Sequence, residues 1–418
     1  MKKSLWTVLS LVLVASVLLT ACGTATPTQA PATQPPAAAT QAPAATAAPA
    51  ATAAPAAVEL TIWHGYHAGG SEEATINKIV ADYMAANPNV KITVLEVPFD
   101  QLFNKWDTAV AAGQTTPDMF TAPNDNLGTE VRAGTVAPID DLVKGKLDGY
   151  TQAGINGVTV DGKMYAVPGI AKAVGLFYNN TTIPNPPKTT DDLLALVKSG
   201  KKLGLNNSDY FMFGFFGGFG GQLMDSTGKC TATQGGFADA LQYFKDLQAA
   251  GANLDTDEGK LETAFTQGQL DMVVTGPWVL GDFEKALGSK LSVEPLPAGP
   301  KGPSAPMMGI DGWYLNPNST NQQAAIDFAL YAFGKDGLTQ YENNAGDPAA
   351  RSDVTTTDPL VKDFADIAAA GYPRPQSAEF GNYWGPFGDM ITAALSGKAS
   401  PTDAVATACA AMDKANKK

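Results

Sequence analysis

The chain has 418 residues, and 28 Lys+Arg stand against 41 Asp+Glu, for a formal charge of −13. An acidic chain without a basic cluster repels phosphate backbones, which argues against nucleic acid as a partner. Only 17% of residues are charged, 44% are hydrophobic and 42 are glycine, a mix that suits a compact, loop-rich protein rather than a disordered one.

The chain opens with Lys2 and Lys3, then an apolar run from Leu5 to Leu19, then Thr20-Ala21-Cys22-Gly23. The run is too short to cross a bilayer, so residues 1–21 read as an export signal. Small residues flank the cysteine, and the segment resembles a bacterial lipoprotein signal. That resemblance implies that Cys22 becomes the lipidated first residue of the mature chain, held firmly outside the inner membrane where two or more acyl chains are attached. Loss of Lys2 and Lys3 would leave 26 basic residues against 41 acidic ones, or −15. Residues 22–57 are almost entirely Ala, Thr, Pro and Gln after the cysteine and carry no charge. They read as a tether, with a reach of roughly 110 Å if wholly polyproline-like. The remaining body, of about 360 residues, exceeds what one hydrophobic core organises, so two lobes are expected.

The body begins with a strand, Val58 to Trp63, whose residues alternate and favour β structure. Gly65, Gly69 and Gly70 then form a loop. Ser71 is placed to cap a helix with Glu72 and Glu73 in its first turn. Ile76, Ile79, Val80 and Tyr83 give that helix one apolar face. Val90 to Leu95 is a second strand, Asp100 is placed to cap a second helix containing Phe103, Trp106 and Val110, and Pro117 to Phe120 is a third strand. Leu176 to Tyr178 and Leu270 to Val274 read as further strands. Thr189 to Lys198, Phe237 to Ala249, Asn321 to Phe333 and Thr402 to Lys414 read as helices. Strands alternating with helices make the body α/β and imply parallel pairing.

Beyond Cys22, the chain holds Cys230 and Cys409, which either form one disulfide or remain separate buried thiols. No metal is expected: His64 and His67 are the only histidines, and nothing near them has ligand spacing. Asp255 and Asp257 suggest a calcium loop, but the twelfth position is Thr266, so a turn before a helix is the reading. The glycines at 217, 218, 220 and 221 lack phosphate-loop spacing, and no cofactor is expected. A Gly-x-Ser-x-Gly elbow is missing from the sequence, and no histidine follows residue 67 to complete a triad. A pair of carboxylates for glycoside hydrolysis stays open, since two acids need only meet in space. Glu72-Glu73, Asp140-Asp141 and Asp191-Asp192 look like helix-start acids instead.

Several segments together resemble the family 1 extracellular solute-binding proteins of ABC importers, the carbohydrate type. They are Gln114 to Met119, Ala166 to Pro168, Leu176 to Asn180, Ile183 to Thr189, Ala264 to Gly268, Thr275 to Trp278, and Ala393 to Lys398 followed by Pro401 and Ala404. Each is loose, but they run collinearly through nearly all of Val58 to Lys418. The resemblance implies a two-lobed type II periplasmic-binding-protein fold with a ligand cleft between the lobes. The N-terminal lobe would comprise 58–170 with 312–352, and the C-terminal lobe 175–305 with 358–418. Hinge crossings would fall near Ile170–Val174, Pro306–Asp311 and Ser352–Thr357. The partners implied are a carbohydrate ligand and the permease subunits, with the membrane met only through the lipid anchor. A monomer, lipid-anchored in the periplasm or at the cell surface, is expected.

Sugars present apolar C–H faces and a ring of hydroxyls, so aromatic rings and hydrogen-bonding side chains are the candidates to bind them. Trp278, Trp384, Trp313 and Tyr210 match or align loosely with stacking positions of the family, and Trp63, Tyr66, His67 and Tyr383 join them. Asp125, Lys172 and Asp311 are the polar candidates. The alternative for each aromatic is a place in the core, and for Asp125 a helix N-cap. Where the maltose-binding members carry a stacking tryptophan after Pro117-Asp118, a hinge glutamate and an arginine, this chain has Ala122, Lys172 and Asn126. Maltose itself is therefore in doubt, and Lys172 would either meet an acidic sugar or pair with an acid. An oligosaccharide remains the expected ligand. The competing readings are a surface glycoside-active enzyme and a binding protein for a non-sugar solute.

Overall fold

The computed structural model describes residues 56–418. The export signal, Cys22 and nearly all of the tether lie outside the described residues.

The first stretch contains β1 (Val58–His64), α1 (Ser71–Ala86), β2 (Val90–Glu96), α2 (Phe99–Ala111), β3 (Met119–Pro123), α3 (Leu127–Ala133), α4 (Asp140–Val143), α5 (Gln152–Gly157), β4 (Thr159–Val160), β5 (Lys163–Met164) and β6 (Ala166–Lys172). A second stretch follows: β7 (Gly175–Asn179), α6 (Thr190–Lys198), β8 (Leu203–Asn206), α7 (Asp209–Gly218), α8 (Phe237–Ala250), β9 (Asn253–Asp255), α9 (Glu258–Thr266), β10 (Met272–Thr275), α10 (Leu280–Leu287) and β11 (Leu291–Glu294). The chain then continues through β12 (Met307–Leu315), α11 (Gln322–Ala332), α12 (Lys335–Asn344), α13 (Pro359–Ala370), β13 (Tyr372–Pro373), α14 (Trp384–Leu395) and α15 (Pro401–Asn416).

Two principal sheets result. One has the order β13-β12-β3-β1-β2, with β6 also on β12; the other has the order β11-β7-β10-β8-β9. Alternating strands and helices imply parallel pairing, and β1 does run parallel to β2 and β3. However, β12 is antiparallel to both β3 and β6, and β7 is antiparallel to β10 and β11. The reason is topological. These strands bring the chain back from the other lobe, so no helical crossover sets their direction.

Each lobe is built on apolar faces that the sequence displays. Leu60 and Ile62 of β1 are buried with Ile76, Ile79, Val80 and Tyr83 of α1 in the first core. In the second core Phe237, Leu241, Phe244 and Leu247 line one side of α8 and meet Val405, Ala408 and Met412 of α15. Cys230 and Cys409 form a disulfide there, with Cα atoms 5.3 Å apart, which settles the alternative left open by spacing. Thr189 and Asp192 close a capping box at the start of α6.

Three stretches carry the chain between the cores. Ile170 belongs to the first core and Val174 to the second; Met307 belongs to the second and Ile310 to the first. Val354 again packs in the first core, and Val361 packs beyond it with Phe177 and Phe364. Strands β6 and β12 therefore lie side by side at the junction, with Gly309 opposite Lys172 and Asp311 opposite Ile170. Side chains from that pair can reach the space between the lobes.

Candidate functional site

A cavity of about 340 Å³ opens between the two lobes. Its lining comes from the carboxyl end of the first-lobe sheet (Tyr66, His67, Thr121, Ala122, Asp125), from the paired crossing strands (Lys172, Gly309, Asp311) and from the second lobe (Asp209, Tyr210, Phe211, Glu258, Trp278, Trp384). Strand ends of an open α/β sheet are where side chains converge without blocking one another, which is why ligands bind there.

The second lobe supplies the aromatic wall. Trp278 follows Gly276 and Pro277, and its indole lies across the glycine: a Cβ at 276 would fall 1.9 Å from Trp278 Cζ3. Its Nε1 donates to Glu258 Oε1 at 2.7 Å. Phe211 meets the ring edge-on at 6.1 Å and 84°, and Tyr210 lies 6.3 Å away. The ring is thus fixed before any ligand arrives. Glu258 also accepts from Thr275 Oγ1 at 3.1 Å, and Glu262, one helical turn on, accepts from the same hydroxyl at 3.2 Å. Burial first, and the nearby Glu258 second, push the Glu262 carboxyl up to about 9. Glu262 is therefore uncharged at neutral pH.

Both cations of the cavity are already neutralised. Lys172 Nζ donates to Glu72 Oε1 at 2.5 Å and lies 2.9 Å from Asp311 Oδ2, a charge contact rather than an aligned hydrogen bond. It also stands over the rings of Tyr66 (5.2 Å) and Trp278 (5.9 Å). Burial alone would lower its pKa, but Asp311, Glu72 and Asp347 outweigh this and hold it well above the ordinary lysine value. Arg374 pairs with Asp125 and donates to Asn124 Oδ1 at 3.2 Å, beneath Tyr210 and Trp384. Asp209 lines the cavity without a cation in contact, and burial first raises its carboxyl to about 7.

Eight expected residues are brought together here: Tyr66, His67, Asp125, Lys172, Tyr210, Trp278, Asp311 and Trp384. Three are not. Trp313 is fully buried between Phe328 and Phe333, at 5.5 and 5.9 Å. It shares a strand face with Asp311, but two residues advance a strand by ~7 Å, which carries it from the cavity to beneath α11. Tyr383 is also fully buried, packed on Phe380 and Phe387, and its hydroxyl donates to Asp209 O at 3.0 Å. Trp63 packs half-buried against the first core beside Leu95 and is not part of the lining. Trp313 and Tyr383 are core aromatics, and Trp63 packs at the edge of the first core.

The local expectations need further corrections. Ser71 does not cap α1: Gly70 holds the N-cap position and Ser71 is the first helical residue. Likewise Pro98, not Asp100, precedes α2. For Asp125 it is the alternative reading that falls: Asn126 precedes α3, and Asp125 lines the cavity and pairs with Arg374. Glu72 is more than a helix-start acid, since it is 5% exposed and neutralises Lys172.

Residues missed by pattern reading include Arg374, Asp209, Phe211, Glu258 and Glu262. Arg374 is one of only three arginines in the chain, and that scarcity was a usable signal. Glu258 and Glu262 stand four apart on one helix face, a pattern too common to single out.

Among the described residues, no cluster of three or more His, Cys, Asp or Glu could hold a metal ion. No described helix is long and apolar enough to cross a membrane.

A family model described as bacterial extracellular solute-binding protein matches residues 78–369. The maltotriose-binding protein of Pyrococcus abyssi is 26% identical over 350 residues, which cover 78% of this chain and 75% of that protein. The galactooligosaccharide-binding protein of Bacillus subtilis is 26% identical over 378 residues, 83% of this chain and 87% of that one. Among solved structures, the Thermus thermophilus maltotriose-binding protein bound with maltotriose superposes with a TM-score of 0.77 at 28% identity. The match covers 85% of this chain and 99% of that one. The GacH receptor of Streptomyces glaucescens shares the fold with a TM-score of 0.82 at 23% identity, covering 87% and 99%.

Proposed function

Since this chain belongs to the bacterial extracellular solute-binding protein family, we propose that it captures a neutral oligosaccharide between its lobes and delivers it to an ABC importer. The observation that carries this reading is the cavity's combination of an aromatic wall with cations that are already paired. Trp278, Tyr210, Phe211 and Trp384 offer rings to sugar faces, while Lys172 and Arg374 each hold a carboxylate of the protein. An acidic sugar would have to displace Glu72 or Asp125 from a buried pair, which costs several kcal/mol. A neutral polyol needs no such displacement. Asp209, Glu258 and Asp125 remain available to accept from its hydroxyls. The names of the relatives point the same way, and maltotriose is the first sugar to try.

We assign the cleft residues as Tyr66, His67, Asp125, Lys172, Tyr210, Trp278, Asp311 and Trp384, joined by Phe211, Glu258 and Arg374. Ligand bridging the two lobes would stabilise their closed arrangement, the state the permease recognises. The protein is read as a receptor and not an enzyme, monomeric and held to the membrane through Cys22.

The test is a thermal-shift and calorimetric screen of the full-length protein against neutral oligosaccharides, acidic sugars, polyamines and peptides. Saturation at about 100 times the dissociation constant adds about 2.7 kcal/mol of stability. Stabilisation by a neutral oligosaccharide that is recovered intact supports the reading. Cleavage of the sugar, or stabilisation by acidic sugars or polyamines alone, refutes it.

A further inference from the structure

Helix α1 starts without a cap from its own loop. Its N-cap residue is Gly70, which has no side chain to accept from the first turn. The acceptor comes instead from α10, in the opposite lobe. Asp282 Oδ2 accepts from Ser71 N at 3.1 Å, and Asp282 Oδ1 accepts from Ser71 Oγ at 2.5 Å. Lys285 Nζ donates to Ser71 Oγ at 2.7 Å and to Asp282 Oδ1 at 3.3 Å.

The backbone beside this contact is fitted just as closely. Gly281 N donates to Ala345 O at 2.9 Å, at the end of α12 in the first lobe. A Cβ at 281 would fall 2.6 Å from Asn344 O and 3.1 Å from Ser71 Oγ. No larger residue permits this approach.

A helix N-terminus has four unsatisfied N–H groups and a positive end of its dipole, so a carboxylate there is favourable. Glu72 and Glu73 already lie in that first turn, but the carboxylate that accepts from Ser71 N is present only while α10 lies against α1. The same turn of α1 bears Glu72, which holds Lys172 at the cavity. It follows the loop of His67, whose Nδ1 lies 3.9 Å from Glu262 across the cleft. Asp282 itself is absent from the cavity lining. One helical turn therefore joins the ligand cavity to the seam between the lobes.

We propose that Asp282 is a positioning residue for ligand binding: by capping α1 from the other lobe it stabilises the apposed arrangement and raises affinity without touching the ligand. The proposal rests on the reading of the protein as a two-lobed receptor.

The experiment compares wild type, Asp282→Ala and Asp282→Asn as full-length proteins. Calorimetry with maltotriose is paired with small-angle scattering in the absence of any sugar. Loss of an N-cap acceptor corresponds to about 3- to 30-fold in an equilibrium constant. The Ala variant is expected to bind maltotriose weaker by that factor and to show a larger radius of gyration without sugar. The Asn variant, an equally good cap, stays within twofold of wild type. Unchanged affinity in the Ala variant, an equal loss in the Asn variant, or an unchanged scattering profile each overturns the proposal. Wild-type protein that ignores maltotriose counts against the sugar reading alone. The scattering comparison needs no ligand and then decides the role of Asp282.

Discussion

Trp278→Ala tests the aromatic wall most directly. The indole is held by Glu258 at 2.7 Å, by the edge-on ring of Phe211 and by the backbone of Gly276, so its orientation does not depend on ligand. A sugar face covering about a third of a tryptophan side chain of ~200 Å² removes ~70 Å² of apolar surface from water. At ~25 cal/mol per Å² this is about 1.7 kcal/mol, or a loss of about 18-fold in affinity. Trp278→Phe keeps part of the face but loses the donor to Glu258, and a loss of about 5-fold is expected. Isothermal titration with maltotriose at pH 7 measures both, with circular dichroism and a melting curve to establish that the variants are folded. A folded Trp278→Ala protein that binds within twofold of wild type would refute the stacking argument and remove Trp278 from the site.

Lys172→Met removes the cation shared by Glu72 and Asp311 and leaves their charges buried; a loss of about 3–5 kcal/mol in urea unfolding is expected, and a loss under 1 kcal/mol would show the cluster to be neutral already. Asp347 is fully buried, and burial, opposed by Lys172, raises its carboxyl to about 6. Its folded pKa exceeds the unfolded value of about 3.9, so its contribution is present below about pH 4 and fades as pH rises through 6, a change of about 3 kcal/mol. Asp347→Asn should therefore gain on wild type between pH 4 and pH 8; parallel melting curves across that range would sink the assignment. His64, pushed down to about 4 by burial, acts with the opposite sign as pH falls below about 6.5 in both proteins, so it cancels in the difference. Replacing Cys230 and Cys409 by serine opens a link between residues 179 apart; about 3–5 kcal/mol of stability should be lost, and a urea midpoint unmoved by reductant would refute this.

Much of the architecture was legible because it rests on local periodicity. Ile76, Ile79, Val80 and Tyr83 announce the buried face of α1, and Phe237, Leu241, Phe244 and Leu247 that of α8. The alternation of Val58 to Trp63 announces β1. Length alone raised the expectation of two lobes. Even part of the cavity could be read, since the family resemblance places Trp278 at a stacking position and Tyr66 follows a strand end.

The sequence by itself determined which faces are apolar, roughly which stretches form helices and strands, and which residue types are available for a sugar. Only the tertiary structure decided which of those residues meet. Trp313 and Asp311 occupy one strand two residues apart, yet one enters the core and the other the cavity. Glu72 reads as an ordinary first-turn acid until Lys172, one hundred residues away in sequence, is brought to it. Ser71 reads as a cap until the first turn is seen to take its acceptor from Asp282, 211 residues on. Periodicity reports burial within an element, over a few residues. Pairing of charges and capping across a cleft depend on how elements distant in sequence are brought together, and no local pattern encodes that distance.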